Sequence, residues 1–419
     1  MIIPPEVAAN PEDWIDIGER YHDELDAIRP RLLWRRTVIK NFRHKHDRSR
    51  PPVSGPAPAP SLPGTLCAPG LASQIVVDKF CDHLPHDRQS KRMMRLFKAH
   101  IGRQTLNRWT HKVADHLNPV GKAIKAELLF ADRLQVDETT MDYLVPGRGS
   151  TKLGYLWTYL DPVRKTVYFD WQLGRSHECL LEIIGVDPET GMTNFRGIIQ
   201  CDGFSAYNTL VARYGGIRLA GCLAHIRRKF YDAEKQAPDR VLPVLLEIQA
   251  LYRIERQLRC SKAPPGCREL VRRARSRPIV EKLYQLILKE RKMHLPESNL
   301  GKAVNYALGQ WEKFILYLEN GELEIDNNLV ENAIRPTKLG LKNYLFFGTA
   351  EAGENNALLY TLVENCKLQG IDPERYLAEV IERLPADATS EQAAELTPSK
   401  VAAKWRREAE VIERAEAAA

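Results

Sequence analysis

The stretch that most constrains the fold is Leu134-Gln-Val-Asp-Glu-Thr-Thr-Met-Asp-Tyr-Leu144. It reads as a β-strand, because Leu134, Val136, Met141, Tyr143 and Leu144 are apolar and β-branched Thr139 and Thr140 sit mid-run. Asp137 and Glu138 interrupt it. A carboxylate in a partly buried strand costs free energy unless a cation, hydrogen bonds or a metal offset it. Successive strand residues face opposite sides, so one acid of the pair is expected at a site, and Asp137 is the preferred one.

Around this strand the patterning is regular. Residues 154–160 and 166–171 read as two further strands, joined by the turn signal Asp161-Pro-Val-Arg164. A helix over 176–184, a short buried strand over 197–201, a helix over 205–214, a strand over 217–221 and a helix over 223–235 follow. The order βββαβαβα is that of a ribonuclease-H-like domain, an α/β fold with a mixed sheet. Strand signals then stop. Leu245, Ile248 and Tyr252, then Leu283, Tyr284 and Ile287, then Val304, Ala307, Leu308, Trp311, Ile315 and Leu318 mark a helical insertion. Within it Arg272, Arg273, Arg275 and Arg277 form a basic cluster, and Trp311 reads as a core residue. Asp326-Asn-Asn328 starts a helix that Pro336 is expected to stop, Lys338–Lys342 reads as a basic turn, and two closing helices span 357–369 and 373–384.

The N-terminal part is different in kind. Residues 1–30 are mixed and acidic, with Trp14, Tyr21 and Leu25 as candidate packing residues. From Arg31 to Arg50 basic residues, among them Arg35, Arg36 and Lys40, oppose a single acid, Asp47. Such an arm suits contact with phosphates. Pro51–Pro60 is a proline-rich, extended linker. Three helices between residues 70 and 118, with Gly102 before the third, are compatible with a helix-turn-helix that places Arg103 and Arg108 at the start of the reading helix. The chain therefore divides into a basic arm (1–50), a linker (51–65), a helix-turn-helix-like region (66–124), the first part of the α/β core (125–240), the insertion (241–322), the last part of the core (323–360), C-terminal helices (361–385) and a weakly helical, frayed tail (386–419).

Composition narrows the function classes. The chain has 419 residues and a net charge of +7, a mild excess that permits a polyanionic partner. Its 8 cysteines are scattered without a Cys-x-x-Cys pair, so no zinc site is expected and a cytoplasmic, reducing location is. No stretch approaches the apolar length of a membrane span, and no membrane partner is expected.

Asp137 has two distant acids as candidate partners, Asp202 at the end of the fourth strand and Glu331 in the first turn of the helix after the insertion. Neighbouring strands one and four bring the first two together, and the helix would bring in the third. Three hard oxygen ligands suit Mg²⁺ or Mn²⁺, as two ions about 3.5–4 Å apart in an in-line phosphoryl displacement. Each acid has a structural alternative. Asp202-Gly203 is a common turn dipeptide, and Asn328-x-x-Glu331 resembles a capping box. Glu138 and Asp142 compete with Asp137, and Glu324 or Asp326 with Glu331. Cys222-x-x-His225 stands before Arg227-Arg-Lys229; as two ligands without a partner pair it makes a poor metal site, and His225 either orients an acid or a phosphate or is satisfied by backbone.

Several strings resemble the signatures of bacterial DDE transposases, most closely the insertion-sequence-sixty-six family: Val136-Asp-Glu-Thr139, Cys201-Asp-Gly-Phe-Ser-Ala-Tyr207, Gly221-Cys-Leu-Ala-His-Ile-Arg-Arg-Lys-Phe230 and Ile325-Asp-Asn-Asn-Leu-Val-Glu-Asn-Ala-Ile-Arg-Pro336. Lys342–Phe346 and Asp372–Leu377 continue the likeness. The resemblance implies an acidic catalytic triad of Asp137, Asp202 and Glu331, with Cys222 and His225 as support. It implies a transposase that binds the terminal inverted repeats of a mobile element and performs metal-dependent cleavage and strand transfer. The alternative is a catalytically inactive, transposase-derived DNA-binding protein. Double-stranded DNA is the implied partner, contacted also by Arg227, Arg228, Lys229, Arg335 and Lys338, with a homodimer or larger synaptic assembly and accessory proteins of the same element. Family members carry a cysteine-based module ahead of the linker; residues 1–50 contain no cysteine, so a shortened or divergent member is expected.

Overall fold

The computed structural model describes residues 3–15, 17, 24–26, 30–58, 60–187 and 189–418. At its centre is a five-stranded mixed sheet. Its strands are β1 (Arg133–Leu144), β2 (Thr151–Asp161), β3 (Thr166–Gln172), β4 (Gly197–Gln200) and β5 (Ile217–Ala220). The spatial order is β3-β2-β1-β4-β5. β1, β2 and β3 form an antiparallel meander, whereas β4 runs parallel to both β1 and β5. The helices between strands are α4 (Glu178–Ile184), α5 (Ser205–Arg213) and, after β5, α6 (Leu223–Ala233), preceded in the chain by α1 (Pro69–Phe80), α2 (His86–Phe97) and α3 (Arg103–Leu128).

Strand alternation gives the sheet two apolar faces. Leu134, Val136, Trp157, Tyr159 and Ile199 pack under Leu180, Ile183 and Leu210 of α4 and α5. Met141, Tyr143, Leu156, Phe169 and Trp171 face the other way, into a core shared with α1 and α3 and with the C-terminal helices α11 (Asn328–Tyr344), α12 (Ala350–Gln369) and α13 (Pro373–Arg383). The edge strand β3 is not left open. Asn365 of α12 bonds both the N–H and the carbonyl of Val167, at 2.9 and 2.6 Å, and Thr361 Oγ1 accepts the Phe169 N–H at 2.9 Å.

The insertion comprises α7 (Pro238–Cys260), α8 (Pro265–Val271), α9 (Arg277–Arg291) and α10 (Asn299–Ile315); α7, α9 and α10 form a third core, with α6 packed against it. Trp311 lies in this core against Tyr284 and Phe314. The basic cluster is split by environment. Arg272 is wholly buried; it pairs with the equally buried Glu255 and donates to the carbonyls of Tyr317, Asn320 and Leu323. Arg273 is an exposed partner of Glu269. Gly221 marks where the insertion docks on the sheet: its N–H donates to the Lys313 carbonyl, and a Cβ there would come within 3.0 Å of the Phe314 backbone.

Several expected boundaries move, each because packing outweighs local propensity. Pro336 does not stop α11, which runs on to Tyr344 and absorbs the expected basic turn. Val330, Ala333, Ile334, Thr337 and Gly340 are buried along the helix and hold it across the missing N–H. In the same way α3 passes through Pro119 to Leu128, beyond the expected end of its region, because Val113, Leu117, Val120, Ile124 and Leu128 keep one face buried. The tail is ordered into helices over Ser390–Ala394 and Pro398–Ala418, and Ala393, Leu396, Val401 and Ala402 are buried. The linker docks at its end through buried Leu62. Trp14 and Leu25 are exposed, and Tyr21 lies outside the described residues.

Removing one partner of a buried ion pair strands the other charge. Arg272→Met is therefore expected to destabilise the protein by about 3–5 kcal/mol, whereas Arg273→Ala should change stability by less than about 0.5 kcal/mol. Urea unfolding followed by tryptophan fluorescence measures both.

Candidate active site

The site lies where β4 ends alongside the parallel strand β1, which continues past it, beside the start of α11. Gln135 is paired in register with Gln200. Two residues further along each strand stand Asp137 and Asp202, so the register carries the two acids side by side. Asp202 sits in the tight connection to α5, where its Oδ1 accepts the Phe204 N–H at 2.9 Å. Gly203 is needed there, since a Cβ would meet the Tyr306 ring at 2.7 Å. Tyr306 of the insertion accepts the Gly203 N–H at 3.2 Å, which ties the loop down from the other side.

Glu331 reaches the same place through a buried amide clamp. Gln135 Nε2 donates to Gln200 Oε1 at 2.9 Å and to the Asp326 carbonyl at 3.0 Å, while its Oε1 accepts the Val330 N–H at 3.2 Å. Gln200 Nε2 donates to the Glu324 carbonyl at 2.7 Å. Segment 324–330 is thereby bound to the two strands that carry the aspartates, and Glu331 follows directly. The capping-box alternative is not formed. Asn327 is the N-cap and makes no side-chain cap bond, and the Asn328 amide donates to Asp326 instead. The rivals are otherwise engaged: Glu138 binds Arg175 and accepts the Tyr207 hydroxyl, Asp326 accepts the Tyr252 hydroxyl, and Glu324 pairs with Arg268. Asp142, the remaining rival, accepts the Thr151 hydroxyl near the far end of β1.

The electrostatics single out Asp137. Burial, then the nearby charges of Glu138, Glu331 and Asp202, raises its pKa from an ordinary 3.8 to about 8. Burial lowers the pKa of His225, against the pull of Glu331 and Asp202. His225 Nδ1 lies 3.7 Å from Glu331 Oε1. Both of those atoms are buried without a hydrogen-bond partner, and so are both side-chain amide atoms of Asn327. Arg228 approaches the other Glu331 oxygen at 3.7 Å. A carboxylate cluster with buried, unsatisfied oxygen fits a divalent cation, whose charge removes the mutual repulsion. Glu331 also gives Cys222 and His225 the third donor that the sequence reading lacked, all three ligand atoms lying within 4.8 Å of one another. The reason is tertiary, since α6 and α11 begin side by side. Burial pushes the Cys222 thiol up to about 12, and its sulfur accepts the Asn327 N–H at 3.4 Å.

The expected DNA contacts do not all gather here. Arg227, Arg228 and Arg335 line one cleft with Glu331. Lys229 lies over the Tyr306 ring, and Lys338 donates to the Thr140 carbonyl at 2.6 Å. Arg103 is exposed at the start of α3 and lines a separate cleft with Lys79, His86 and Tyr344; Arg108 is exposed one turn later. Arg35, Arg36 and Lys40 are exposed on the arm, where Arg35 approaches Glu382 at 3.8 Å. Sequence reasoning missed the Gln135–Gln200 clamp. Its only signal was a glutamine in each of two apolar strands.

Comparison with known proteins shows the family of the chain. The family model "Transposase IS66 family" matches residues 64–355, and "IS66 C-terminal element" matches 361–399. The chain belongs to the IS66 transposase family. Among curated relatives, uncharacterized protein y4jD of Sinorhizobium fredii is 32% identical over 388 residues, covering 89% of this chain and 73% of the relative. Uncharacterized protein y4qI of the same organism is 32% identical over 401 residues, covering 91% and 72%. The first family match takes in β1 through α11, so the transposase region contains all three clustered acids and the whole insertion.

A carboxyl whose pKa is raised on folding binds its proton more tightly in the folded state, so stability is lost as pH rises between the two values. In chelator, the melting temperature should fall as pH rises from 3.8 toward about 8 through this contribution. Asp137→Asn should flatten the fall across the neutral part of that range and melt higher than the parent protein at pH 8. Mn²⁺ should raise the melting temperature of the parent and not of the variant, as measured by differential scanning fluorimetry.

Proposed function

We propose that this transposase cleaves DNA at the ends of a mobile element and joins the freed ends to target DNA, with Asp137, Asp202 and Glu331 as its catalytic and metal-binding residues. The observation that carries this reading is the convergence of three carboxylates from distant parts of the chain, close enough that Glu331 and Asp202, after burial and Glu138, add to the rise in the Asp137 pKa. The strand order β3-β2-β1-β4-β5, with β4 parallel to β1, supports a ribonuclease-H-like core.

The three acids would hold Mg²⁺ or Mn²⁺, as two ions. When bound, such ions activate an attacking hydroxyl and neutralise charge on the phosphoryl group. The chain's own residues do the positioning. The Gln135–Gln200 clamp fixes the start of α11, and so the backbone of Glu331, against the two aspartate strands. His225 and Arg228 flank the two Glu331 oxygens and orient the carboxylate. The Nδ1 atom of His225 is also placed to exchange a proton at the edge of the site, while Cys222 keeps the Asn327 backbone in place. Arg227, Arg228, Lys229, Arg335 and Lys338 hold DNA phosphates near the acids. Arg103, Arg108, Arg35, Arg36 and Lys40 contact the duplex further out. Pairing two element ends calls for a homodimer or larger assembly, with accessory proteins of the element as further partners. No helix among the described residues is long and apolar enough to cross a membrane.

Asp202→Asn should lower Mn²⁺-dependent cleavage of a duplex carrying the repeats that flank the gene by about a thousand-fold or more, with gel-shift binding of the same duplex unchanged. Cleavage that persists in this variant sinks the assignment. A parent protein that binds the duplex and never cleaves it identifies an inactive DNA-binding relative.

A further inference from the structure

Beside the acids a cleft extends from Glu331 toward the insertion. It has a volume of about 790 Å³, within the size range of pockets that enclose a small organic ligand. One wall is α6, with Arg227, Arg228 and Tyr231. The opposite wall is α7 of the insertion, with Leu246 and Arg256. The start of α11 closes the inner end with Glu331 and Arg335. Four arginines therefore face one space in which Glu331 is the single acid. Arg227, Arg256 and Arg335 form no ion pair among the described residues, and Arg228 has only the 3.7 Å approach to Glu331.

Unpaired guanidinium groups repel one another, so their concentration in a cleft calls for an anionic occupant of more than one charge. Much of the wall between them is apolar, with Leu242, Leu245 and Leu246 on α7. Tyr231 is 58% exposed and Leu246 52% exposed, although both stand on helices whose other faces are buried in the insertion core. A flat ring and an aliphatic surface set among phosphate-binding arginines match a nucleotide strand with its base turned out of the helix stack. Stacking on an aromatic ring and contact of arginine with the backbone are the two means by which unpaired strands are held. A duplex would satisfy the arginines and leave the apolar wall in water.

We infer that this cleft, resting on the proposed DNA chemistry of the adjoining acids, receives a short unpaired segment of DNA at the reacting end. Phosphates lie on Arg227, Arg256 and Arg335, and one base stacks on Tyr231. The insertion then has a role at the site itself, since α7 supplies half of the cleft. An unpaired strand held on both sides of Glu331 presents its backbone to the acids without the opposing strand in the way.

The test uses the full chain and two fluorescein-labelled duplexes of the same sequence, one blunt and one with a single-stranded overhang, in Ca²⁺ and without cleavage. Fluorescence anisotropy should show tighter binding of the overhang duplex. Tyr231→Ala should reduce that preference by roughly five-fold or more, the loss of one stacked base, with blunt-duplex binding unchanged. Arg256→Ala should weaken overhang binding and lower its salt slope by about one. Equal preference in Tyr231→Ala and the parent overturns the inference. So does displacement of the overhang duplex by polyglutamate more readily than by a free oligonucleotide of the overhang sequence, which would make the cleft a site for an acidic protein segment. The outcome is separable from the catalytic assignment. Metal-dependent cleavage abolished by Asp202→Asn, together with an unaltered Tyr231→Ala, rejects the cleft alone. Cleavage that survives Asp202→Asn while Tyr231→Ala loses the preference rejects the triad alone.

Discussion

Everything at the candidate site depends on holding like charges together. Asp137, Asp202 and Glu331 repel one another, and burial makes the repulsion stronger by removing water. A flexible chain would move such groups apart. The bonds that bring their backbones together do not involve the carboxylates. The parallel register of β1 and β4 sets the two aspartates, and two buried glutamines attach the segment before Glu331 to those same strands. A buried primary amide can donate and accept at once, so Gln135 and Gln200 satisfy each other and the backbone groups of a segment that carries no regular structure. The energy of folding thereby sustains a local arrangement of like charges that is unfavourable by itself.

The insertion serves the same end from the outside. Arg272 and Glu255 form its buried centre, and Arg272 uses its guanidinium to bind carbonyls at Tyr317, Asn320 and Leu323. These carbonyls belong to the stretch that leads into Asp326 and α11. The helices of the insertion are therefore tied to the same connection that the glutamine clamp secures from the sheet side. Tyr306, reaching Gly203, adds a second attachment next to Asp202. An insertion that might be taken as an appendage is bonded to the approach of two of the three acids and forms one wall of the arginine-lined cleft.

Much of this was legible in the residues. Alternating apolar runs mark the five strands, and the connecting helices follow in the order the spacing suggests. A strand with an acid in it announces Asp137, and the apolar stripe through Val304, Ala307 and Trp311 announces a buried helix. The failures share one cause. Pro336 and Pro119 are local stop signals, yet both lie inside helices whose buried faces extend past them. The tail is rich in Ala and Glu, yet its few apolar residues find a core to join. Local signals describe what a segment does alone, and packing decides what it does in company.

The same division runs through the site. Sequence alone determined the residue types and their elements: hard carboxylates within one strand, at the end of another and at a helix start, a Cys-x-x-His turn, and an excess of arginine nearby. Tertiary structure decided which of them meet. The third donor beside Cys222 and His225, the engagement of Glu138 by Arg175 and Tyr207, and the facing of α6 arginines by Arg256 of α7 all join residues far apart in the chain. Such contacts leave no periodicity to read, because a side chain's partner across the fold is set by how layers pack and not by its neighbours in sequence.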